Sequence, residues 1–220
     1  MALILQIDTA SAVASVSVAK DGIVLLSAEN KLVNEHAAFL QPAIQKIIKD
    51  AAVGLKDLDA VAVMNGPGSY TGLRVGLASA KGLAYALNKP LITIGTLPAM
   101  AHAAAAEEKN EAIFYAPMMD ARRMEVFTAV YDCNGNEQLA PCAKVLDNDS
   151  FVALLLQNKL LFFGSGAAKF KNMGAHANAL FSEDYSVVQS FAQLSFNAFE
   201  TGKFAELVYS EPQYLKEFYT

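Results

Sequence analysis

The residues with the strongest claim to chemistry lie in one stretch, Gly66-Pro67-Gly68-Ser69-Tyr70-Thr71-Gly72-Leu73-Arg74-Val75-Gly76. It follows an apolar run from Leu58 to Met64 and opens into a small-residue segment that reaches Asn88. This predicts a buried strand, a glycine turn and a helix, and the free N–H groups of a helix start favour an anion. The spacing does not match the common phosphate cradles. A P-loop needs Lys-Ser/Thr after its last glycine, whereas Gly72 is followed by Leu73-Arg74. A dinucleotide fingerprint needs G-x-G-x-x-G, and Gly66, Gly68 and Gly72 are one residue too widely spaced. Ser69 or Thr71 capping the helix is the plainer reading.

Other chemistry is sparse. His36, His102 and His176 form neither His-x-x-x-His nor His-Glu-x-x-His, so no metal-ligand helix is expected, and there is no Gly-x-Ser-x-Gly elbow. Asp8 and Asp120 each follow a predicted strand; they read as a carboxylate pair or as turn residues making Asx bonds. Arg123 and Glu125 share a strand face and are expected to pair with each other. Cys133 and Cys142 lack a CxxC spacing and read as free thiols. The net charge is −5, with a pI near 5.2, and no basic run is longer than Arg122-Arg123. Direct gripping of a nucleic-acid backbone is not expected, because it needs clustered Lys and Arg; an indirect role through a basic partner stays open. Hydrophobic residues make up 54% of the chain and the mean hydropathy is +0.27, yet no apolar run reaches the ~18 residues of a membrane span. The N-terminus has no basic n-region, so a cytoplasmic location without a secretory signal is expected. The high apolar content points to a large buried face, an oligomer interface included.

The elements that position these residues fall into two successive halves. Ala12 to Ala19 alternates at strand period, Asp21-Gly22 is a hairpin signal, and three antiparallel strands are predicted in about the first 30 residues. A helix is predicted over Glu35–Asp50, with Pro42 inside it. Asp59 to Met64 is a doubly buried strand, and Pro90 to Ile94 another. After residues 96–98 the plan repeats less regularly: a helix over Pro98–Glu108, strands over Ala112–Met119 and Met124–Tyr131, a turn at Asn134-Gly135, a helix over Phe151–Leu156 capped by Asp147 or Asp149, a strand over Leu160–Phe163, the loop Gly164-Ser165-Gly166, and a helix over Ser190–Glu200. The tail Glu211–Lys216 reads as extended. The expected domains are 1–97 and 98–220, the final segment packing back on the first lobe.

In the helix after the glycine turn, Gly72, Gly76, Ala80 and Ala84 recur every four residues on one face, widened by Ser79, Gly82 and Ala86 and flanked by Leu73, Leu77, Leu83 and Leu87. Mid-helix glycines cost roughly 1 kcal/mol each against alanine. Close approach of another backbone is the natural compensation, either the helix carrying Leu40, Ile44 and Ile47 or a second subunit.

The duplicated plan resembles the actin-like ATPase superfamily (ASKHA, ribonuclease H-like): an α/β fold of two βββαβα lobes with mixed sheets, here with a degenerate second lobe. Members hold a nucleotide with an Asp-x-Gly turn in each half and a glycine-paired adenosine loop. Here Asp8-Thr9-Ala10 and Asp120-Ala121-Arg122 lack the glycine. Asp8, Thr9, Gly66, Gly68, Ser69, Gly164 and Gly166 are therefore read as a vestigial nucleotide site. A small-molecule kinase or ATPase of this superfamily is the alternative function.

Ile7-Asp8-Thr9, the whole of Gly66–Gly76, Ala80-Lys81-Gly82-Leu83-Ala84, Asp120–Phe127 and Glu211–Lys216 together resemble the TsaB (YeaZ) family over nearly the full length. The departures are an exchange of the usual aromatics at Tyr70 and Phe127, Val75 for Ile, and Lys216 for Arg. The resemblance implies a non-catalytic subunit without cofactor or metal. Its partner is the transferase TsaD, which carries the His-x-x-x-His pair absent here and forms N6-threonylcarbamoyladenosine at position 37 of tRNAs that read codons beginning with A. It further implies the ATPase TsaE as a third component, a homodimer when the chain is alone, tRNA contact only through the complex, and no membrane. On that resemblance the partner interface is Gly72, Leu73, Gly76, Ser79, Ala80, Leu83 and Ala84, with Leu40, Ile44 and Ile47 beside them.

Overall fold

The computed structural model describes residues 1–30, 36–174 and 176–216. Its elements run β1 (Leu3–Asp8), β2 (Ala14–Lys20), β3 (Ile23–Asn30), α1 (His36–Asp50), β4 (Ala60–Gly66), α2 (Tyr70–Leu87), β5 (Leu91–Gly95) and α3 (Thr96–Glu108). They continue with β6 (Ile113–Asp120), β7 (Glu125–Tyr131), β8 (Glu137–Val145), α4 (Val152–Leu155), β9 (Lys159–Phe163), α5 (Ala167–Lys171), β10 (Ala179–Phe181) and α6 (Val188–Glu200). The expected helix start at Glu35 lies outside the described residues.

The first unit comprises Met1–Thr96 and Val187–Gln213. β1, β2 and β3 pair antiparallel, and β4 and β5 continue in parallel from β1, in the order β3-β2-β1-β4-β5. The β2–β3 hairpin turns on Asp21 and Gly22, with φ of 50° and 78°; two left-handed residues are what a type I′ turn requires, and its twist matches that of the strands. Leu5, Ile7, Val16 and Val18 recur at period two and bury one sheet face. They meet Leu40, Ile44 and Ile47 of α1 and Leu77, Ala80 and Ala84 of α2. α6 also packs on this sheet; its Gln189 donates to the Gly22 carbonyl (2.7 Å) and accepts from the Val24 N–H (3.2 Å). A split at residue 97 thus leaves out one helix of the first unit. Periodicity identifies α6 as a helix but says nothing of which sheet it covers.

The second unit comprises Leu97–Ser186 and the residues from Tyr214 onward. β6, β7 and β8 pair antiparallel, β9 and β10 follow in parallel from β6, and the order is β10-β9-β6-β7-β8. Read from β8, this repeats the first sheet strand for strand, which is the duplicated actin-like plan expected from the sequence. The repeat is degenerate where helices should stand: α4 and α5 have 4 and 5 residues, against 15 and 18 in α1 and α2. An aromatic cluster fills that space. Phe162 packs on Phe151, Phe170 and Phe181 with centroids 5.2, 4.8 and 5.7 Å away.

One local expectation is corrected. Neither Asp147 nor Asp149 caps α4 with its side chain. Asp147 Oδ1 instead accepts from Ser150 Oγ (2.7 Å), and the helix is entered through Phe151 at φ 64°. β10 went unread because three residues carry no period. Phe162→Ala is expected to lower unfolding free energy by about 3–5 kcal/mol, measured by urea denaturation followed by circular dichroism.

Candidate functional site

The glycine stretch forms the turn from β4 into α2. Ser69 is the N-cap: its Oγ accepts from the Gly72 N–H (3.2 Å), and its own N–H donates to the Ala10 carbonyl (2.7 Å). Gly66 has φ 117°, a region closed to most side chains, and a Cβ there would lie 2.7 Å from the Gln213 carbonyl oxygen. The small-residue face of α2 is turned toward the loop after β1. A Cβ at Gly72 would lie 2.1 Å from the Thr9 carbonyl oxygen, and one at Gly76 2.2 Å from Thr9 Oγ1. Thr9 Oγ1 donates to the Gly72 carbonyl at 2.7 Å, fully buried. The close approach expected from the sequence is real, but Thr9 makes it.

Asp8, Thr9, Gly66, Gly68 and Ser69 are thus brought together at the carboxyl ends of β1 and β4. Their chemistry is wrong for a phosphate. The Thr9 and Ala10 carbonyls and the Asp8 carboxylate are all acceptors, so the turn carries negative potential. A Cβ at Gly68 would lie 2.2 Å from the Ala10 carbonyl oxygen, which fills the space an anion would need. Asp8 Oδ1 accepts from the Ala10 N–H (2.9 Å). Burial pushes the Asp8 carboxyl up to about 6, against the opposing pull of that N–H and of nearby His36. His36 Nε2 lies 2.9 Å from the Ser11 carbonyl, which only accepts, so Nε2 carries the proton; Nδ1 is buried without a partner among the described residues.

Gly164 and Gly166 belong to the second unit and close their loop onto the end of β6. Cβ atoms there would lie 2.4 Å from the Met118 carbonyl oxygen and 2.7 Å from a Val126 methyl. An open groove of about 490 Å³ lies beside this loop, lined by Gly164, Ala167, Lys171, Phe181 and Asp184 among others. Among the described residues no group of three His, Cys, Asp or Glu is placed to hold a metal, and no helix is long and apolar enough to cross a membrane.

The predicted partner ridge is redirected. Gly72, Leu73, Gly76, Ala80 and Ala84, with Leu40, Ile44 and Ile47 of α1, are buried within this chain; only Ser79 and Leu83 reach the surface, each half-buried. Small residues face inward because β1 and its loop crowd the helix. The outward faces of α1 and α2 carry Ala37, Ala38, Gln41 and Gln45 on one helix and Arg74, Ala78, Gly82, Tyr85 and Ala86 on the other, all exposed. Gln41 Nε2 donates to Ser79 Oγ (3.2 Å) and ties the two helices. A Cβ at Gly82 would meet nothing within 4 Å. Ala78, Gly82 and Ala86 recur every four residues just as the buried set does, and spacing alone does not say which face of the helix is turned outward. An exposed glycine in a long helix was the available signal.

A family model described as "TsaD: tRNA N6-adenosine threonylcarbamoyltransferase" matches residues 28–218. The chain is 30% identical over 221 residues to the tRNA threonylcarbamoyladenosine biosynthesis protein TsaB of Escherichia coli, covering 97% of this chain and 94% of the relative. Among solved structures, YeaZ from Pseudomonas aeruginosa superposes with a TM-score of 0.80 at 27% identity, covering 98% of this chain and all of that one. The ethanolamine utilization protein EutJ from Carboxydothermus hydrogenoformans superposes at 0.52 with 11% identity, covering 89% and 90%, a likeness of fold alone.

Two predictions follow from the turn. Gly72→Ala drives a Cβ into backbone and is expected to cost about 1–3 kcal/mol or more, whereas Gly82→Ala on the same helix is expected to stabilise by about 1 kcal/mol; chemical denaturation of both reads the opposite signs. Asp8 binds its proton more tightly when folded than at its ordinary value of 3.8. Its contribution is therefore fully present below pH about 4 and is lost as pH rises to about 6. Asp8→Asn is expected to flatten stability between those limits and to raise it at neutral pH by on the order of 2–3 kcal/mol, checked by urea midpoints across pH.

Proposed function

The chain belongs to the TsaB (YeaZ) family of tRNA threonylcarbamoyladenosine biosynthesis proteins, and from that premise we propose that it is a non-catalytic scaffold and activator subunit. It pairs with a TsaD-like transferase, joined by a TsaE-like ATPase, for formation of N6-threonylcarbamoyladenosine at position 37 of tRNAs that read codons beginning with A. When alone it pairs with itself through the same surface, and it works in the cytoplasm. The observation that carries this reading is the outer face of α1 and α2. Alanine, glycine and glutamine occupy much of it, where another pair of helices can lie at close range, and Arg74 and Tyr85, the latter 79% exposed, stand on the same face as large side chains for a partner to cover.

The closed, acceptor-lined turn at Thr9 and Ala10 supports the non-catalytic half of the reading. A transferase or ATPase acting here needs donors or a cation facing the transferred group, and this turn offers acceptors. The actin-like kinase or ATPase remains the second reading, because the fold is that of nucleotide-binding proteins. Calorimetry of the isolated chain with Mg-ATP separates the two: stoichiometric binding with turnover favours the kinase. A tRNA modification assay with the transferase, with and without this chain, tests the scaffold directly.

Ala38→Arg with Gly82→Arg places one guanidinium on each helix of the outer face, both at exposed positions. The fold is expected to survive with an unchanged circular dichroism spectrum. Affinity for the TsaD-like partner is expected to fall by roughly 100-fold or more, since two like charges must be desolvated, and self-association is expected to disappear. Sedimentation velocity reads both.

A further inference from the structure

The turn between β6 and β7 carries a feature that the scaffold role does not use. Residues 120–125 read Asp-Ala-Arg-Arg-Met-Glu. Arg122 and Arg123 are consecutive and exposed, and both lie in the left-handed region, at φ 69° and 46°. A tight turn of this kind accepts Asn-Gly without strain; arginine adds backbone strain at both positions. The turn is held rigidly. The Ala121 N–H donates to the Glu125 carbonyl and the Glu125 N–H to the Arg122 carbonyl, both at 3.1 Å. Arg122 N–H donates to Asp120 Oδ1 (2.6 Å), and Asp120 N–H to Ser165 Oγ (3.1 Å).

The expected Arg123–Glu125 pair does not form. Glu125 Oε2 is taken by Lys216, and Asp120 Oδ1 by Lys169 at 2.8 Å, which also donates to the Glu125 carbonyl (3.0 Å). The Lys169 hydrogen bond holds the Asp120 carboxyl below its ordinary range. Asp147 is adjacent to Leu146, whose N–H bonds the Met124 carbonyl, but its carboxylate is engaged by Ser150. Each carboxylate near the turn therefore has an internal partner. Neither Arg122 nor Arg123 has an ion pair among the described residues. Two uncompensated guanidiniums thus project from a fixed turn in a chain whose net charge is −5.

We propose that Arg122 and Arg123 form a contact for the phosphodiester backbone of tRNA, made by this chain within its complex. The inference rests on the scaffold reading and sharpens it: tRNA is touched by this subunit itself, at one turn, and not only by its partner. Guanidinium forks match phosphate oxygens in pairs. Two arginines offset along a rigid turn can take successive phosphates of one strand. The acidity of the rest of the chain repels RNA elsewhere and so sets the orientation of the approach. Phosphate contacts of this kind position the RNA without reading its sequence.

The test uses the full chain with its TsaD-like partner and labelled unmodified tRNA, with affinity measured by fluorescence anisotropy over a range of salt. Arg122→Gly with Arg123→Gly removes both charges and relieves both φ values, so the melting temperature is expected to hold or rise and partner assembly to persist. Affinity for tRNA is expected to fall roughly 10- to 100-fold for the pair, and the salt slope to drop by about 1 per arginine. Arg122→Lys with Arg123→Lys is expected to recover the slope and part of the affinity. If the Gly variant keeps wild-type affinity and slope while the complex still forms, the tRNA contact is wrong and the scaffold reading stands. If the wild-type chain fails to bind the transferase at all, the scaffold reading falls, and titrating tRNA against the chain alone still reads the arginines. Loss of partner binding with tRNA affinity unchanged would make the turn a contact for acidic protein. Equal competition by inorganic phosphate would make it a small-anion site. Either result overturns the proposal.

Discussion

The packing of Thr9 against α2 sets the geometry of the first unit. Its carbonyl lies where a side chain at Gly72 would stand, and its hydroxyl where one at Gly76 would stand while donating to the Gly72 carbonyl. Two mid-helix glycines, each costing roughly 1 kcal/mol in isolation, allow α2 to lie directly on the loop after β1. The consequences reach further along the chain. Leu77, Ala80 and Ala84 come onto Leu5 and Ile7, and α1 is held beside α2 through Leu40, Ile44 and Ile47. The surface proposed for a partner is the reverse side of an internal contact.

The same contact fills the space at the start of α2 in this actin-like fold. Phosphate binding at a helix start needs N–H groups pointing into open space. Here Ala10 turns its carbonyl into the turn, Ser69 caps the helix, and the Asp8 carboxylate is buried deeply enough to hold its proton to about pH 6. The room and the donors are both used internally. The second half diverges in another way. Its α4 and α5 shrink to about one turn each, phenylalanine rings pack around them, and its hairpin turn carries Arg122 and Arg123 where the first carries Ala10 and Ser11.

The second hairpin turn places local positive charge on an acidic chain. Overall charge governs long-range attraction, but contact is decided locally. Lys169 and Lys216 neutralise Asp120 and Glu125 within the turn, so the charge left at its tip belongs to the arginines alone.

Much of this was legible in the order of residues. Val-small alternation in β2, the Asp21-Gly22 hairpin, the unbroken apolar β4 and the spacing of Gly72, Gly76, Ala80 and Ala84 are local signals, because strand period, turn chemistry and helix period act over a few residues. They determined the two repeated halves, the turn into α2 and the existence of a close-packed helix face. Three features were settled only in the tertiary structure. The partner of the glycine face is Thr9, more than 60 residues earlier in the chain, and spacing along a helix does not say what lies against it. α6 joins the first sheet, although it follows the second in sequence. Glu125 pairs with Lys216 rather than with Arg123, two residues earlier in the turn that leads into its strand. In each case the sequence determined that a group needed a neighbour, whether small, apolar or charged; which neighbour it found depended on where the fold brought distant segments together.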